Sequence, residues 1–288
     1  MGPTGAGKST FIQTMIGRET NGVGHSLESY TNQISAMRVT FSDGVSVVLV
    51  DTPGFDDTHL SDLDILKIVA KWLEDIRRRS LTLSGILYLH RISDNRMAGT
   101  PLKNLKMFKK LCGEDFFEKV ILTTTMWPEV GGGVEEDIYI RREGELSRTY
   151  WAEMTNKGSF TCRFRNTQAS AWEILNRVVA HESRRRLIRI QEELVDQKKS
   201  LPTTEAGQQL HGIFEALIEK QNDLLNRTKE ELGRTGDPEV LMTLLSEMGE
   251  LRKERDKAVK DMRQLNSSPL GKWRSVSSSI RRVRRRKT

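Results

Sequence analysis

Gly2-Pro3-Thr4-Gly5-Ala6-Gly7-Lys8-Ser9, with Thr10 behind it, is the stretch on which the reading of this chain turns. Its spacing, G-x-x-x-x-G-K-S, is that of a phosphate-binding loop. Small residues let the backbone curl so that the N–H groups from Gly2 and Thr4 to Ser9 face an anion. Lys8 adds a point charge for the β- and γ-phosphates, and the Ser9 hydroxyl is placed for Mg²⁺. A plain glycine-rich turn before an amphipathic helix is the other reading, and it does not explain the acidic motif downstream. Such a loop follows the central buried strand of its sheet. Here Met1 stands directly before Gly2, with no room for that first strand, and a sequence that starts inside a longer protein is expected rather than a loop without its anchor.

Working outward, Phe11, Ile12, Met15 and Ile16 recur at helical spacing up to Gly17, which gives a helix whose N-terminal dipole faces the phosphates. Residues 18–31 are polar and glycine-bearing and read as a first switch loop. A threonine there would reach Mg²⁺ and the γ-phosphate; Thr31 is the choice, with Thr20 and Ser29 as rivals. Ile34 to Phe41 and Val45 to Val50 read as two strands about the turn Ser42-Asp43-Gly44. The second, nearly all apolar, is expected to be buried on both faces. It delivers Asp51-Thr52-Pro53-Gly54, 43 residues after Lys8. Asp51 suits a metal-bound water and the Gly54 N–H suits the γ-phosphate. The metal set is therefore Ser9, Thr31 and Asp51, and Lys8, Thr31 and Gly54 are the candidates for action on the terminal phosphate. Phe55 follows Gly54, where an aromatic ring cannot orient an attacking water. Hydrolysis is then slow, or it takes a group from elsewhere, such as a second subunit.

Leu63 to Ile76, Ser84 to Leu89, Leu102 to Leu111, Val120 to Thr124, Glu135 to Thr155, Gly158 to Phe164 and Ala169 to Val179 alternate as helix, strand, helix, strand, helix, strand and helix. That order predicts an α/β fold, a P-loop NTPase domain with a mostly parallel sheet and ligands at the strands' C-terminal ends. The motifs GPTGAGKST, VGHSLESYT, DTPGFDDT, ILYLHRISDNRM and TTTMW give residues 2 to about 180 a resemblance to the septin and immunity-associated branch of the GTPases, of the fungal G-domain type. The resemblance implies GTP or GDP and Mg²⁺ as cofactors, GTP hydrolysis as the activity, and pairing of G domains across the nucleotide face. By position it gives Gly5, Lys8, Ser9 and Thr10 to phosphates and metal, Thr31 and Asp51 to the Mg²⁺ shell, and Gly54 to the γ-phosphate. Thr125 and Trp127 fall in the base-reading segment. Trp127 has a ring to stack on a base, or it caps the sheet edge. Pro128 stands where guanine readers carry an aspartate, so an NTPase without guanine preference stays open beside the GTPase, as does a scaffold of negligible turnover.

The formal net charge is +7, but eight cations and no acids lie in residues 271–288, which leaves the other residues at −1. The charge of the body therefore gives no argument for a grip on a nucleic-acid backbone. The two cysteines, Cys112 and Cys162, form no disulfide or metal pattern and suit a reducing cytoplasm. Three segments result: a GTPase domain over 1–180, a helical or coiled-coil extension over 181–265, and a basic, serine-rich, disordered tail over 266–288. In the extension Leu187, Ile190, Leu194 and Leu201 suggest one seam, and Leu210, Ile213, Leu217 and Leu224 another. Leu241, Leu244, Met248, Leu251, Arg255, Ala258, Met262 and Leu265 line a third stripe, which needs another subunit or a neighbouring helix to cover it. Homo-oligomers through the G domain or these helices follow. The tail interleaves Trp273, Val276, Ile280 and Val283 with its cations; it reads as a soluble tail, a nuclear address or a peripheral membrane contact.

Overall fold

The structure is a computed structural model that describes residues 1–16, 34–40, 44, 46–57, 59–97, 99–128, 134–180, 186–234 and 238–267. The chain divides into a compact unit over Met1–Lys198 and a second over Lys199–Gly271.

The first unit is α/β. Strands β1 (Ser35–Thr40) and β2 (Ser46–Asp51) pair antiparallel, while β3 (Ile86–Arg91), β4 (Val120–Thr125) and β5 (Phe160–Arg163) form a parallel sheet in that order. Around them lie α1 (Lys8–Ile16), α2 (Asp62–Arg78), α3 (Thr100–Cys112), α4 (Val134–Glu145), α5 (Ala152–Asn156), α6 (Gln168–Ala180) and the short α7 (Arg189–Gln191). Every residue of β4 is buried, as befits a strand paired on both edges and covered on both faces. Parallel neighbours are joined through helices because a short turn cannot reverse the chain between them. Met1 extends the ladder: its carbonyl accepts from Leu89 N–H at 2.9 Å and its nitrogen donates to the Leu87 carbonyl at 2.7 Å.

Local chemistry sets the helix ends. Ser61 caps α2 by accepting from Asp64 N–H, and Asp62 and Asp64 sit at its positive end while Arg77 and Arg78 sit at its negative end. Its buried stripe holds Leu63, Leu66, Val69, Ala70, Leu73 and Ile76. Pro101 opens α3, where its missing N–H costs nothing. One core cluster joins Phe11 and Met15 of α1, Leu89, Ile121, and Ala171, Ile174 and Leu175 of α6, with Phe11 edge-on to Phe164 at 5.1 Å.

Three expectations change. Val48 of β2 is 48 % exposed, so that strand is not buried on both faces. Only Val47 and Leu49 turn toward the core cluster, because β2 belongs to a two-stranded sheet with one covered side. The helix expected over Glu135 to Thr155 is interrupted by a π turn at Leu146–Tyr150, where Trp151 N–H bonds to the Leu146 carbonyl at 2.8 Å. The wider turn swings Trp151 into full burial. The seam of Leu187, Ile190, Leu194 and Leu201 is not one helix. It breaks into α7, a π turn at Glu192–Asp196 and a 3₁₀ turn at Leu201–Thr203. Ile188 and Ile190 are instead fully buried, and Gln191 Nε2 donates to the Leu73 carbonyl of α2 at 2.9 Å.

The second unit is a helical hairpin of α8 (Glu205–Arg234) and α9 (Pro238–Asn266). Gln221 Nε2 donates to Glu254 Oε2 at 2.5 Å and His211 lies 3.5 Å from Asn266, which fixes an antiparallel pairing. The stripe on α9 therefore finds its cover in α8, with Leu244, Met248, Ala258 and Leu265 buried. On α8 the buried line runs through Leu210, Phe214, Gln221, Leu225 and Thr228, one step from the line through Leu224. At the start of α8, Thr204 caps Gly207 N–H at 3.0 Å, and a Cβ on Gly207 would stand 2.0 Å from the Leu201 carbonyl oxygen. Among the described residues no helix is long and apolar enough to cross a membrane. The tail beyond residue 267, Asp237 and the first switch loop lie outside the described residues; Asn266, expected in the tail, ends α9.

Candidate nucleotide-binding site

Gly5 and Gly7 take φ of +74° and +82°, a region that costs L-residues with a Cβ but not glycine. These two reversals turn the loop from Met1, on β3, into α1. Gly2 packs so closely that a Cβ would stand 2.3 Å from the Leu89 carbonyl oxygen. Underneath, Thr125 at the end of β4 donates its hydroxyl to the Ala6 carbonyl at 3.0 Å and stands 3.3 Å from that of His90. Thr125 thus braces the loop from below.

The second wall comes from β2. Ser9 Oγ donates to Asp51 Oδ2 at 2.6 Å. Thr4 N–H donates to the Phe55 carbonyl at 3.1 Å, and Thr4 Oγ1 lies 3.3 Å from the Gly54 carbonyl oxygen. A Cβ on Gly54 would fall 2.6 Å from Thr4 N and 2.7 Å from Lys8 Nζ, so only glycine fits. Lys8 Nζ donates to the Gly2 and Pro3 carbonyls at 3.1 and 2.8 Å. Burial pushes its pKa down to about 8, against the opposing pull of Asp51 and Asp57. The loop, Asp51 and Gly54 therefore converge around one ammonium group.

Other residues fall to the side. Trp127 Nε1 donates to Thr124 Oγ1 at 3.0 Å, and its ring lies 4.4 Å from the Arg163 guanidinium and 5.4 Å from that of Arg165. Arg163 Nε is itself shared between Glu143 Oε1 and Oε2 at 3.0 and 2.9 Å. Phe55 is buried at 4 % exposure. Asp57 accepts from the His59 and Leu60 N–H groups at 2.8 and 3.1 Å. Asn166, at φ +53°, lies 3.5 Å from Thr14 Oγ1. Thr31 with its rivals Thr20 and Ser29 lie outside the described residues. Two neighbours of the loop escaped the sequence reading. Arg91 Nη1 is 3.3 Å from where a Cβ on Gly5 would be, and Met126 Cε is 3.9 Å from the same point on Gly7. Their signal was position alone, at the C-terminal ends of β3 and β4.

The residues fit a triphosphate with Mg²⁺. Asp51 Oδ1 is buried without a hydrogen-bond partner among the described residues, and with Ser9 Oγ it makes an all-oxygen donor pair suited to a hard cation.

A family model described as 50S ribosome-binding GTPase matches residues 1–111. Toc33 from Arabidopsis thaliana in complex with GDP and Mg²⁺ is similar in structure at 17% identity, over 64% of this chain and 84% of that one, with a TM-score of 0.50. A structure of the chloroplast translocon components atToc33 and psToc159, for which dimerization is important for GTPase activity, is similar at 16% identity, over 65% and 83%, with a TM-score of 0.52. At these identities the likeness establishes the fold. The septin and immunity-associated resemblance is corrected by these findings: the matches are to the ribosome-binding GTPase model and to chloroplast-import GTPases. Of the stretches that carried it, the phosphate loop and Asp51-Thr52-Pro53-Gly54 are set by phosphate and metal chemistry and do not separate branches. The first unit thus has the α/β fold of a P-loop G domain, and its residues 1–111, with the loop and the Asp51 motif, match a GTPase model.

Proposed function

We propose that this P-loop GTPase binds GTP and GDP with Mg²⁺ and hydrolyses GTP slowly, as an assembly switch whose turnover depends on pairing with a second copy. Lys8 and the loop amides hold the phosphates, while Ser9, Asp51 and Thr31 supply oxygens to the metal. Mg²⁺ contributes neutralisation of charge on the β- and γ-phosphates. The Gly54 N–H reads the terminal phosphate, and its close packing against Thr4 and Lys8 couples that reading to the loop.

The observation that carries the dependence on pairing is Phe55. It is buried, its carbonyl is tied to Thr4 N–H, and Asp57 beyond it is engaged with backbone N–H groups. The position after Gly54 thus carries no side chain able to orient an attacking water, while Asp57 keeps Oδ2 buried and without a hydrogen-bond partner among the described residues. The reported importance of dimerization for the GTPase activity of atToc33 and psToc159 agrees with a group supplied from outside. The basic tail of residues 266–288 is proposed to touch an anionic membrane surface, since eight cations alternate there with Trp273, Val276, Ile280 and Val283.

The test is GTP turnover per molecule measured over a hundredfold range of protein concentration. Turnover that rises with concentration is expected. A constant turnover overturns the pairing, and its absence at every concentration overturns hydrolysis.

A further inference from the structure

Arg91 ends β3 and its guanidinium stands at the rim of the phosphate loop, with Nη1 within contact of Gly5. Its Nε lies 3.0 Å from Asp94 Oδ1, an ion pair without a hydrogen bond, and the side chain is 40 % exposed. Asp94 thus stands beside one edge of the fork, and Nη1 lies on the loop side. A flexible arginine on an exposed turn would not hold this place, because ordering so long a side chain costs on the order of 2 kcal/mol of rotamer entropy. The turn that follows is, however, tied down. Ile92 is buried and its N–H donates to the Thr125 carbonyl at 2.9 Å. From α4, Arg142 Nη1 stands 3.2 Å from both the Ile92 and Ser93 carbonyl oxygens, and its Nη2 donates to Asn95 Oδ1 at 2.6 Å. The same guanidinium lies 5.2 Å from the Tyr139 ring. A planar fork with several donors in fixed directions can serve three acceptors on one turn, which a lysine ammonium cannot reproduce.

We infer that Arg91 is a second cation for the bound polyphosphate beside Lys8, and that Arg142 is the positioning residue that holds it at the loop by locking the Ile92–Asn95 turn. The inference rests on the reading of the loop as a GTP site. It places a determinant of nucleotide affinity on α4, outside the loop and the strands that carry it.

The experiment is GTP binding to the full chain by calorimetry for wild type, Arg91→Ala, Arg142→Gln, Arg142→Lys, Asn95→Ala and the Arg91→Ala/Arg142→Gln double variant, with nucleotide-free melting recorded for each. Arg91→Ala is expected to weaken binding about tenfold, the loss that goes with one charge-assisted hydrogen bond. Arg142→Gln is expected to weaken it about three- to tenfold, Arg142→Lys to behave like Arg142→Gln, and Asn95→Ala to lose about twofold. The double variant should bind like Arg91→Ala alone, because a residue acting through another adds nothing once that other is gone. Losses that multiply in the double variant, full rescue by lysine, or an Arg91→Ala protein that binds like wild type each overturn the inference. Should an Arg142 variant fail to fold, Asn95→Ala with and without Arg91→Ala answers the same question. Lys8→Ala separates the two claims. If it abolishes binding while Arg91→Ala is silent, the GTP site stands and only the role of Arg91 falls; if wild type binds no GTP, the site itself falls.

Discussion

The two sheets of the first unit are built from similar apolar residues and behave differently. In β4 all six positions are buried, whereas β2 shows exposed Ser46 and Val48 alternating with partly buried Val47 and Leu49. The difference lies in neighbours and not in composition: β4 has a parallel strand on each side and helices over both faces, while β2 is paired with β1 and covered on one face. The phosphate loop spans the two. It rests on β3 and β4 through Met1, Gly2 and the Thr125 bond to Ala6, and it faces Asp51 and Gly54 from β2. A fully packed floor holds the amides in place, and a half-covered wall brings Asp51 and Gly54, the groups proposed to respond to the terminal phosphate.

The contrast can be broken hardest in the floor. Leu122→Ala, at a fully buried position of β4, is expected to cost about 2–5 kcal/mol from lost burial and the cavity left behind, read from chemical denaturation. A loss below 1 kcal/mol would mean that the sheet is not the rigid member. Next comes pH. Binding of an anion requires protonated Lys8, whose pKa is lowered to about 8, so affinity for GTP should be flat below that value. It should fall as pH rises through it, approaching about tenfold per pH unit. Titration calorimetry in buffers from pH 6.5 to 9.5 checks this, and a flat profile would place Lys8 outside the phosphate contact. The smallest effect belongs to the exposed face of the wall: Val48→Thr should change stability by less than about 0.5 kcal/mol and leave affinity unaltered.

The phosphate loop and Asp51-Thr52-Pro53-Gly54 were legible because phosphate and metal chemistry admit few residue types at few spacings, and the α/β alternation was legible because strands and helices have different periods. What could not be read was set by distant contacts. Val45 to Val50 looks like an inner strand, yet its burial depends on a sheet partner far away in sequence. Leu187 and Ile190 have helical spacing, yet Ile190 answers to burial and Gln191 to the Leu73 carbonyl, neither of which periodicity encodes. Thr125 lies in the segment expected to face a base, and its hydroxyl supports the loop backbone, a contact that spacing does not encode. Trp127, beside two guanidinium groups, shows that an aromatic residue in a binding segment has more than one claim on its ring. Arg91 was passed over because only the fold reveals that the end of β3 meets Gly5.

Gly207 has a consequence for mechanics. With its Cα lodged against the Leu201 carbonyl and Thr204 bonded to its amide, α8 cannot swivel at its root without carrying the 3₁₀ turn along. A helix of 30 residues is about 45 Å long, so a tilt of about ten degrees imposed at that junction sweeps its far end through roughly 8 Å. A small rotation there becomes a visible stroke at the hairpin's tip.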